Sequence, residues 1–550
     1  MRQRVLRIHP SDNVIVALDH LAEGEEIKLE STTFPIKQHI SSKHKFAQSD
    51  LQPGDSIIMY GVRVGKAVSP IRQGEAITVQ NIHHDAEEYR LREQQYQWTP
   101  PSVDHWREIT FAGYHRADGK VGVANYWLVI PLVFCENRNL QVMREALVKE
   151  LGYDRSMSQR FDVRSLVQQY QAGNSPSDLL TAPILLSSEA SDQQRTFPNV
   201  DGIQFLTHEG GCGGTRQDAQ TLCALFAGYI THANVAGATV LSLGCQNAED
   251  KLLLEEINKR DPDFNKPLYI LEQQQSNSEP EFIAEAIKKT FVGLTQANQI
   301  ERKPASLSKL TIGLECGGSD GFSGISANPA VGHAADLLVA LGGSVILSEF
   351  PELCGVEQEL TDRCTDRATA EKFINLMRAY SRSAEAVGSG FDMNPSPGNI
   401  KDGLITDAIK SAGAAKKGGT SPVTDVLDYP EPVTKPGLNL LCTPGNDVES
   451  TTGLAGAGAT IILFTTGLGT PTGNAVAPTL KIASNSTLAR RMSDIIDINA
   501  GTIISGEDTI ESKGEEILDY IIRTANGSYT PKAVRLGQDD FIPWKRGVSL

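Results

Sequence analysis

The chain is 550 residues long, which is more than one hydrophobic core normally serves and corresponds to about three domains. Hydrophobic residues make up 40% and charged residues 21% of the sequence, a globular composition that excludes extensive disorder. The formal net charge of −16 disfavours nonspecific binding to nucleic acid or anionic membranes, because both are negatively charged. An anionic small substrate remains compatible with this charge, since a few local cations outweigh a distant surface field.

No segment of the sequence predicts a signal peptide or a membrane span. The basic residues within positions 1–10 are not followed by the apolar run of a signal peptide. The most apolar stretch, 121–135, is interrupted by Asn125 and Pro131 and is too short to cross a bilayer. Eight cysteines, none in a CxxC pair, indicate neither a disulfide scaffold nor a zinc ribbon. We therefore expect a reduced cytoplasmic protein.

Residues 1–82 predict a small all-β module. Its short strand-like runs alternate with turn residues and lie at 5–8, 14–18, 56–61 and 75–79. Residues 83–110 differ in composition, because they are acidic, rich in glutamine and contain the pair Pro100-Pro101. This composition is typical of a linker.

After residue 110 the sequence repeats a pattern of strand, glycine-containing loop and helix. The predicted strands lie at 203–206, 238–243, 310–314, 344–348, 438–441 and 460–464. This alternation predicts mainly parallel sheets that are covered by helices on both faces, the α/β class. A joint with lysine and proline at 301–304 divides the region into two α/β domains, 111–303 and 304–550, and we expect the second to be Rossmann-like.

Four cysteines follow predicted strands within a few residues, and they are Cys212, Cys245, Cys316 and Cys442. Ligands of open parallel sheets bind beyond the carboxyl ends of the strands, so neighbouring strands can bring several of these thiols together. With His208 they would form a soft metal site suited to iron, zinc or an iron–sulfur cluster. The alternative is that each cysteine is a small buried packing residue, as free cysteines often are.

Two kinds of glycine-rich pattern have weaker functional interpretations. The stretch 317–321 matches the G-x-S-x-G nucleophile elbow around Ser319, but the only later histidine, His333, follows too closely for a hydrolase triad. The stretches 453–458 and 466–473 lack a complete GxGxxG and the P-loop lysine, so close backbone packing explains them better than phosphate binding.

A series of different motifs is distributed along the whole chain, at 8–18, 44–47, 116–123, 208–212, 243–245, 314–324, 328–329, 394–399 and 497–502. In that order they resemble the altronate dehydratase and galactarate dehydratase family, nearly end to end. The first two motifs resemble the SAF module of that family, which is a small β-clip. The segment 437–446 is similar to the altronate branch, while Ala124 and Leu468 stand where the family usually has arginine.

The resemblance implies dehydration of a sugar acid to a 2-keto-3-deoxy acid, with a requirement for Fe²⁺ or Mn²⁺. The altronate branch implies D-altronate as substrate and 2-keto-3-deoxy-D-gluconate plus water as products. Removing the proton alpha to a carboxylate adds negative charge, which a metal chelated by the carboxylate and the 2-hydroxyl would stabilise. A base must take the C2 proton, and an acid must protonate the departing C3 hydroxyl.

The motifs and the strand-end positions together provide the candidate site residues. His44 is the first candidate for acid–base catalysis and His9 the second, with Lys45 and Asp12 beside them in the N-terminal module, which we expect to close over the α/β part. The expected metal ligands are His208, Cys212, Cys245 and Cys316. The expected substrate-binding residues are Asn13, Ser319, Asp320, Asn394 and Asn399.

Other functions stay open on the sequence alone. The nearest alternative is a sister dehydratase that acts on galactarate or another hydroxy acid. An iron–sulfur electron-transfer protein and a non-catalytic carbohydrate-binding protein are the others, and the long matched α/β portion argues against the latter. We expect a small sugar acid as the binding partner, neither nucleic acid nor membrane, and a homo-oligomeric state.

Overall fold

The N-terminal module consists of short antiparallel strands, as the sequence predicts. The structure is a computed structural model that describes residues 3–29, 32–86, 89–91, 96–154, 159–187 and 194–550. The strands of the module are β1 (Val5–Leu6), β2 (Val14–Ala17), β3 (Glu26–Leu29), β4 (Thr32–Pro35), β5 (Lys45–Ala47), β6 (Ser56–Met59), β7 (Val62–Ala67) and β8 (Ile82–His83). They pair as β1-β2-β5, β3-β4 and β6-β7-β8. The fully buried side chains of Ile15 and Phe46 belong to the small apolar core that holds them together.

The segment predicted as a linker, 83–110, contacts the C-terminal domain where the structure describes it. The Tyr96 hydroxyl donates to the Thr420 carbonyl at 2.7 Å, and the Trp98 indole N–H donates to the Thr420 hydroxyl at 3.1 Å. Trp106 is buried in the same apolar core as the C-terminal strands. Because large aromatic side chains bury much apolar area, these contacts hold the segment against the domain.

The region 110–306 contains a parallel sheet that is flanked by helices. The strands of this region are β9 (Thr110–His115), β10 (Val121–Gly122), β11 (Tyr126–Pro131), β12 (Gln159–Phe161), β13 (Leu185–Ser187), β14 (Gly202–Phe205), β15 (Val235–Ser242), β16 (Leu268–Glu272) and β17 (Lys303–Ser306). Its helices are α1 (Asn137–Leu147), α2 (Val163–Gln171), α3 (Pro176–Thr181), α4 (Arg216–Thr231), α5 (Asp250–Arg260) and α6 (Glu279–Ala297). The main sheet has the parallel order β14-β11-β15-β16.

Burial on both faces explains why the central strands of this sheet are apolar throughout. All eight residues of β15 are buried, and the Trp127 side chain on β11 is fully buried. Helix α6 lies so close to that ring that a Cβ atom at Gly293 would come within 1.9 Å of it. Strand β17 pairs with β9, so the predicted domain boundary at 303/304 falls inside a strand.

The C-terminal domain is a larger parallel sheet of seven strands. They are β18 (Thr311–Cys316), β19 (Ser344–Leu347), β20 (Val423–Leu427), β21 (Gly437–Leu441), β22 (Ile461–Thr466), β23 (Thr479–Ala483) and β24 (Ile498–Asn499). The helices are α7 (Ala327–Ala340), α8 (Glu357–Asp362), α9 (Arg367–Glu385), α10 (Pro397–Lys401), α11 (Asp407–Ala414), α12 (Asp447–Ala457), α13 (Ser486–Arg491), α14 (Thr502–Ser505), α15 (Ile510–Ala525) and α16 (Lys532–Arg535).

The strand order of the C-terminal sheet is β20-β21-β19-β18-β22-β23-β24, with every pairing parallel. The chain places β19, β20 and β21 on one side of β18 and then returns to add β22 on its other side. Ligands of doubly wound sheets bind at such a switch point, beyond the carboxyl ends of the strands. The predicted fold class, a small all-β module followed by parallel α/β regions, is confirmed. Among the described residues, no helix has the length and apolar character to cross a membrane.

Candidate active site between the N-terminal module and the C-terminal sheet

The loop that follows β18 at the switch point is built around the buried carboxylate of Asp320. Its Oδ1 atom accepts hydrogen bonds from the Ser484 hydroxyl at 2.7 Å and from the Ser323 hydroxyl at 3.0 Å. Its Oδ2 atom accepts from the Asn485 side-chain amide at 3.0 Å. The Asn399 side-chain amide donates to the carbonyl of Ser319 at 2.8 Å. Three predicted substrate-binding residues, Ser319, Asp320 and Asn399, therefore lie together in this loop region.

Lys43 of the N-terminal module docks onto this loop. Its Nζ atom lies 3.0 Å from Asp320 Oδ2 and 3.1 Å from Asp402 Oδ1. Burial alone would lower the pKa of Lys43, but the two carboxylates outweigh burial and raise it. Lys43 has a left-handed backbone with a φ of 76°, and its carbonyl oxygen would lie 2.4 Å from a Cβ atom at Gly321. A larger residue at position 321 would therefore push the module away.

Burial lowers the pKa values of the two residues that follow Lys43. The half-buried His44 ring places Nε2 at 3.0 Å from the carbonyl of Lys401, so in the neutral ring Nε2 donates and Nδ1 carries the lone pair. Burial, reinforced by the neighbouring lysines, lowers the pKa of His44. Lys45 is fully buried and donates to the Gly403 carbonyl at 2.6 Å, and burial lowers its pKa to about 7. Shifts of this kind characterise acid–base groups in active sites.

The other polar candidates of the module hold its own turns. The Asp12 carboxylate accepts hydrogen bonds from the backbone N–H groups of His9, Tyr60 and Gly61 at 2.9–3.2 Å. The Asn13 side chain donates to the carbonyl at 56 and accepts from the N–H at 58. The exposed His9 ring contacts the hydroxyl of Ser11 at 2.7 Å. These contacts stabilise turns within the module, whereas His44 and Lys45 contact the C-terminal loops.

A buried group of a thiol and two carboxylates lies at the carboxyl ends of β18 and β19. The Cys316 sulfur is 3.1 Å from Glu352 Oε2 and 3.5 Å from Glu349 Oε2. One ligand atom from each of the three residues lies within 4.8 Å of the others. Glu349, two residues after the end of β19, has a left-handed backbone with a φ of 67°. Such strain in a non-glycine residue is concentrated at functional sites. We name these residues the Cys316 centre.

Two lysines form ion pairs with the two carboxylates of the Cys316 centre. Lys417 Nζ lies 2.9 Å from Glu349 Oε2, and Lys410 Nζ lies 2.6 Å from Glu352 Oε1. Lys410 also donates to the side-chain oxygen of Asn394 at 2.6 Å, which places this predicted residue beside the centre.

Further acids surround the same centre. Glu315 is completely buried and accepts from the Ser450 hydroxyl at 2.6 Å. Burial, together with repulsion from Glu349, raises the pKa of Glu315 well above its usual value, and burial raises the pKa of Asp447 to about 7. Carboxylates in this situation retain protons unless a cation replaces them.

The structure does not bring the four predicted metal ligands together. Cys316 belongs to the C-terminal sheet, whereas His208, Cys212 and Cys245 follow strands of the preceding domain. Both ring nitrogens of His208 are already bonded, to the Pro131 carbonyl and the N–H at 210. Among the described residues, no group of three close ligand atoms includes these three side chains. Cys442, also a strand-end cysteine, is buried and serves packing.

Sequence reasoning missed Lys43, Glu349, Glu352, Lys410 and Lys417. Glu349 and Glu352 follow a predicted strand just as the cysteines do, so their position was a usable signal. The lysines offer no local signal, because their partners lie 16 to 359 residues away in the sequence.

Two buried histidines are expected to make the fold less stable at acid pH. In His208 and His232 one ring nitrogen accepts from a backbone N–H and the other donates to a carbonyl. Burial lowers their pKa values to about 4 and about 3. Because both folded pKa values lie below 6.5, their contribution is present above pH 6.5 and is lost as the pH falls towards 4.

We expect His208 alone to reduce the free energy of unfolding by about 3 kcal/mol over that range. Urea unfolding of the wild type and of His208→Gln at several pH values measures how steeply the free energy of unfolding of each protein falls with decreasing pH. His39→Ala, at an exposed histidine, is the matched control. If the free energy of unfolding had the same pH dependence in His208→Gln and in the wild type, the proposed contribution of His208 would be contradicted.

Lys43→Met is expected to weaken docking of the N-terminal module. It leaves the Asp320 carboxylate buried without its cation, which costs about 2–3 kcal/mol, less than for a fully buried pair because Lys43 is partly exposed. The weaker docking is measured as a lower free energy of unfolding in urea and as faster limited proteolysis between residues 83 and 110. Lys37→Met, at an exposed lysine of the same module, should change neither, and an unchanged Lys43→Met protein would refute the docking role.

Family models match most of the chain in three consecutive parts. Residues 3–85 match the altronate/galactarate dehydratase SAF domain. Residues 113–298 match the second domain of D-galactarate dehydratase/altronate hydrolase, and residues 307–549 match the C-terminal part of D-galactarate/altronate dehydratase. The family resemblance of the motifs is thereby confirmed.

Curated relatives are similar over nearly their full length. Altronate dehydratase of Escherichia coli (strain K12) is 35% identical over 548 residues, and that of Bacillus subtilis (strain 168) is 34% identical over 556, each covering 99% of both chains. Galactarate dehydratase (L-threo-forming) of Escherichia coli (strain K12) is 30% identical over 532 residues, which is 95% of this chain and 92% of the relative. With its SAF module docked on the carboxyl ends of a doubly wound sheet, this chain belongs to the altronate/galactarate dehydratase family, a family of hydro-lyases.

Proposed function

We propose that the chain dehydrates a sugar acid of the altronate type, converting D-altronate to 2-keto-3-deoxy-D-gluconate and water. The observation that carries the proposal is full-length similarity to two altronate dehydratases, combined with proton-exchanging residues where the SAF module meets the C-terminal sheet. The C2 proton and the C3 hydroxyl leave together as water, and the resulting enol becomes the 2-keto acid. The step needs no oxidant.

His44 is the proposed base. Its lowered pKa keeps the ring neutral at pH 7, and in this tautomer the Nδ1 lone pair is available to accept the C2 proton. Lys45 is the neighbouring proton carrier, because with a pKa of about 7 it is populated in both protonation states. Asp320 positions both residues through Lys43, which precedes them in the chain.

The Cys316 centre is the proposed holder of Fe²⁺ or Mn²⁺. Two carboxylates and a thiol are donors that suit these ions, and the surplus of acids over lysines favours an added cation. When bound, the ion would supply a Lewis acid for the substrate carboxylate and hydroxyl. The side chains of the chain itself orient the acids: Lys417 holds Glu349, and Lys410 links Glu352 to Asn394.

A substrate panel tests the proposal directly. The purified enzyme is chelated, dialysed and assayed for 2-keto acid on hexonates and hexarates, with Fe²⁺, with Mn²⁺ and without metal. We expect turnover of D-altronate that depends on the added metal. Turnover of galactarate alone would favour the second candidate, which rests on the 30% identical relative. Full turnover of a verified metal-free preparation would overturn the metal requirement, and no turnover on any acid would overturn the dehydratase assignment.

A further inference from the structure

Three of the eight free cysteines are exposed, and all three lie in one region. They are Cys135, Cys212 and Cys245, whereas the other five are buried or half-buried. Free cysteines are among the most buried residue types, so exposed ones call for a chemical explanation. Cys135 lies four residues after the end of β11. It therefore follows a strand closely, as do the four cysteines that the sequence analysis identified.

The sheet topology brings these three cysteines to the same edge. They follow β11, β14 and β15, which are adjacent in the order β14-β11-β15 and run parallel. The loops are also tied to one another through the backbone. The N–H of Phe134 donates to the Gly210 carbonyl at 3.1 Å, and the N–H of Asn247 donates to the Gly211 carbonyl at 3.0 Å. The Cys212 loop is therefore hydrogen-bonded to both of the other cysteine loops.

A cavity of about 400 Å³ opens where the three loops meet. Cys212 lines it directly, together with Asn137, two residues after Cys135, and Asn247, two residues after Cys245. Each loop contributes to this wall, so a group held by the three thiols has space beside it.

Three helices begin directly after the cysteine loops. Helix α1 starts at Asn137, α4 at Arg216 and α5 at Asp250, two to five residues after their cysteines. Their amino-terminal ends carry partial positive charge and lie at the same edge of the sheet. Such helix ends stabilise anionic groups that bind beside them.

We propose that Cys135, Cys212 and Cys245 ligate an iron–sulfur cluster. A single zinc ion with bonds of about 2.3 Å needs sulfurs only about 3.8 Å apart. Among the described residues, these thiols do not form a group of three within 4.8 Å. A polynuclear cluster bridges more widely spaced thiols, because each cysteine ligates a different iron. This site is separate from the Cys316 centre and does not rest on the proposed function.

Cluster reconstitution tests the proposal without using activity. The full-length protein is incubated under argon with ferrous iron, ferric iron and sulfide, desalted, and analysed for iron, acid-labile sulfide and visible absorption. We expect about four iron and four sulfide per chain and a brown colour. Each of Cys135→Ser, Cys212→Ser and Cys245→Ser should lose most of the bound sulfide.

Matched variants separate this site from the rest of the molecule. Cys354→Ser and Cys364→Ser, at half-buried cysteines, should retain the full sulfide content, and Cys316→Ser should do so as well. Circular dichroism of the triple variant C135S/C212S/C245S checks that the fold is preserved. Wild-type protein that binds no acid-labile sulfide, or only zinc, would overturn the proposal. A folded triple variant with wild-type sulfide content would do the same.

Discussion

Glu349→Gln is expected to lower kcat by about 10³-fold and to abolish binding of Fe²⁺ or Mn²⁺ at the Cys316 centre. The substitution keeps the size of the side chain but removes the negative charge that faces Cys316 and Lys417. Loss of one charge-stabilising group in a buried site typically costs about 10²–10³ in rate, and the loss of a metal ligand adds to it. Steady-state kinetics at the metal concentration that saturates the wild type, and metal analysis after dialysis, measure the two effects.

The variant also leaves Lys417 buried without its anion, so folding has to be measured separately. Circular dichroism and urea unfolding at the assay temperature identify the folded fraction, to which kcat is then normalised. Glu371→Gln, at an exposed glutamate that pairs with Arg367 on α9, is the matched control and should match the wild type. Folded Glu349→Gln protein with normal turnover and normal Mn²⁺ binding would eliminate the Cys316 centre as the metal site.

His44→Ala is expected to lower kcat by at least about 10²-fold with the fold intact, the usual cost of a missing acid–base group. The ring is half-buried and bonds through Nε2 to the Lys401 carbonyl, so its removal opens little core space. KM should change much less than kcat, because the proton is transferred only in the transition state.

The pH profile provides a second readout for His44. Its pKa lies below the usual 6.5, so the neutral base persists as the pH falls through 6.5, and the acidic limb of kcat/KM lies below that value. In His44→Ala this limb should disappear together with most of the rate. His39→Ala, at an exposed histidine of the same module, should retain both rate and profile. Near-normal turnover of His44→Ala would mean that another group takes the proton.

Much of the fold follows from local sequence pattern. Alternating short strands and turns predict the β module, and the repeated strand–loop–helix pattern predicts parallel α/β sheets. Residues of one motif also stay together when their spacing is short, as Ser319 and Asp320 do in the loop after β18. The same reasoning could not assign Lys43 to that loop, because its partner Asp402 is 359 residues away.

The predicted metal ligands show where strand-end reasoning reaches its limit. Local sequence pattern correctly places a cysteine that follows a strand at the edge of a sheet, but it does not determine which sheet the strand joins. Cys316 lies in the C-terminal sheet with Glu349 and Glu352, while Cys212 and Cys245 lie in the preceding domain with Cys135. Strand order decides which loops are neighbours, and it depends on packing between helices and sheets far apart in the chain.

By itself, the sequence determined the fold class, the module at the N-terminus and the family, because periodicity, turn residues and long motifs are properties of consecutive residues. Only the tertiary structure decided which charges meet. Lys417 reaches Glu349 across 68 residues, and the docked SAF module buries Lys45 enough to bring its pKa to about 7. Burial and the distance between charges set such pKa values, and both arise only when separate segments pack together.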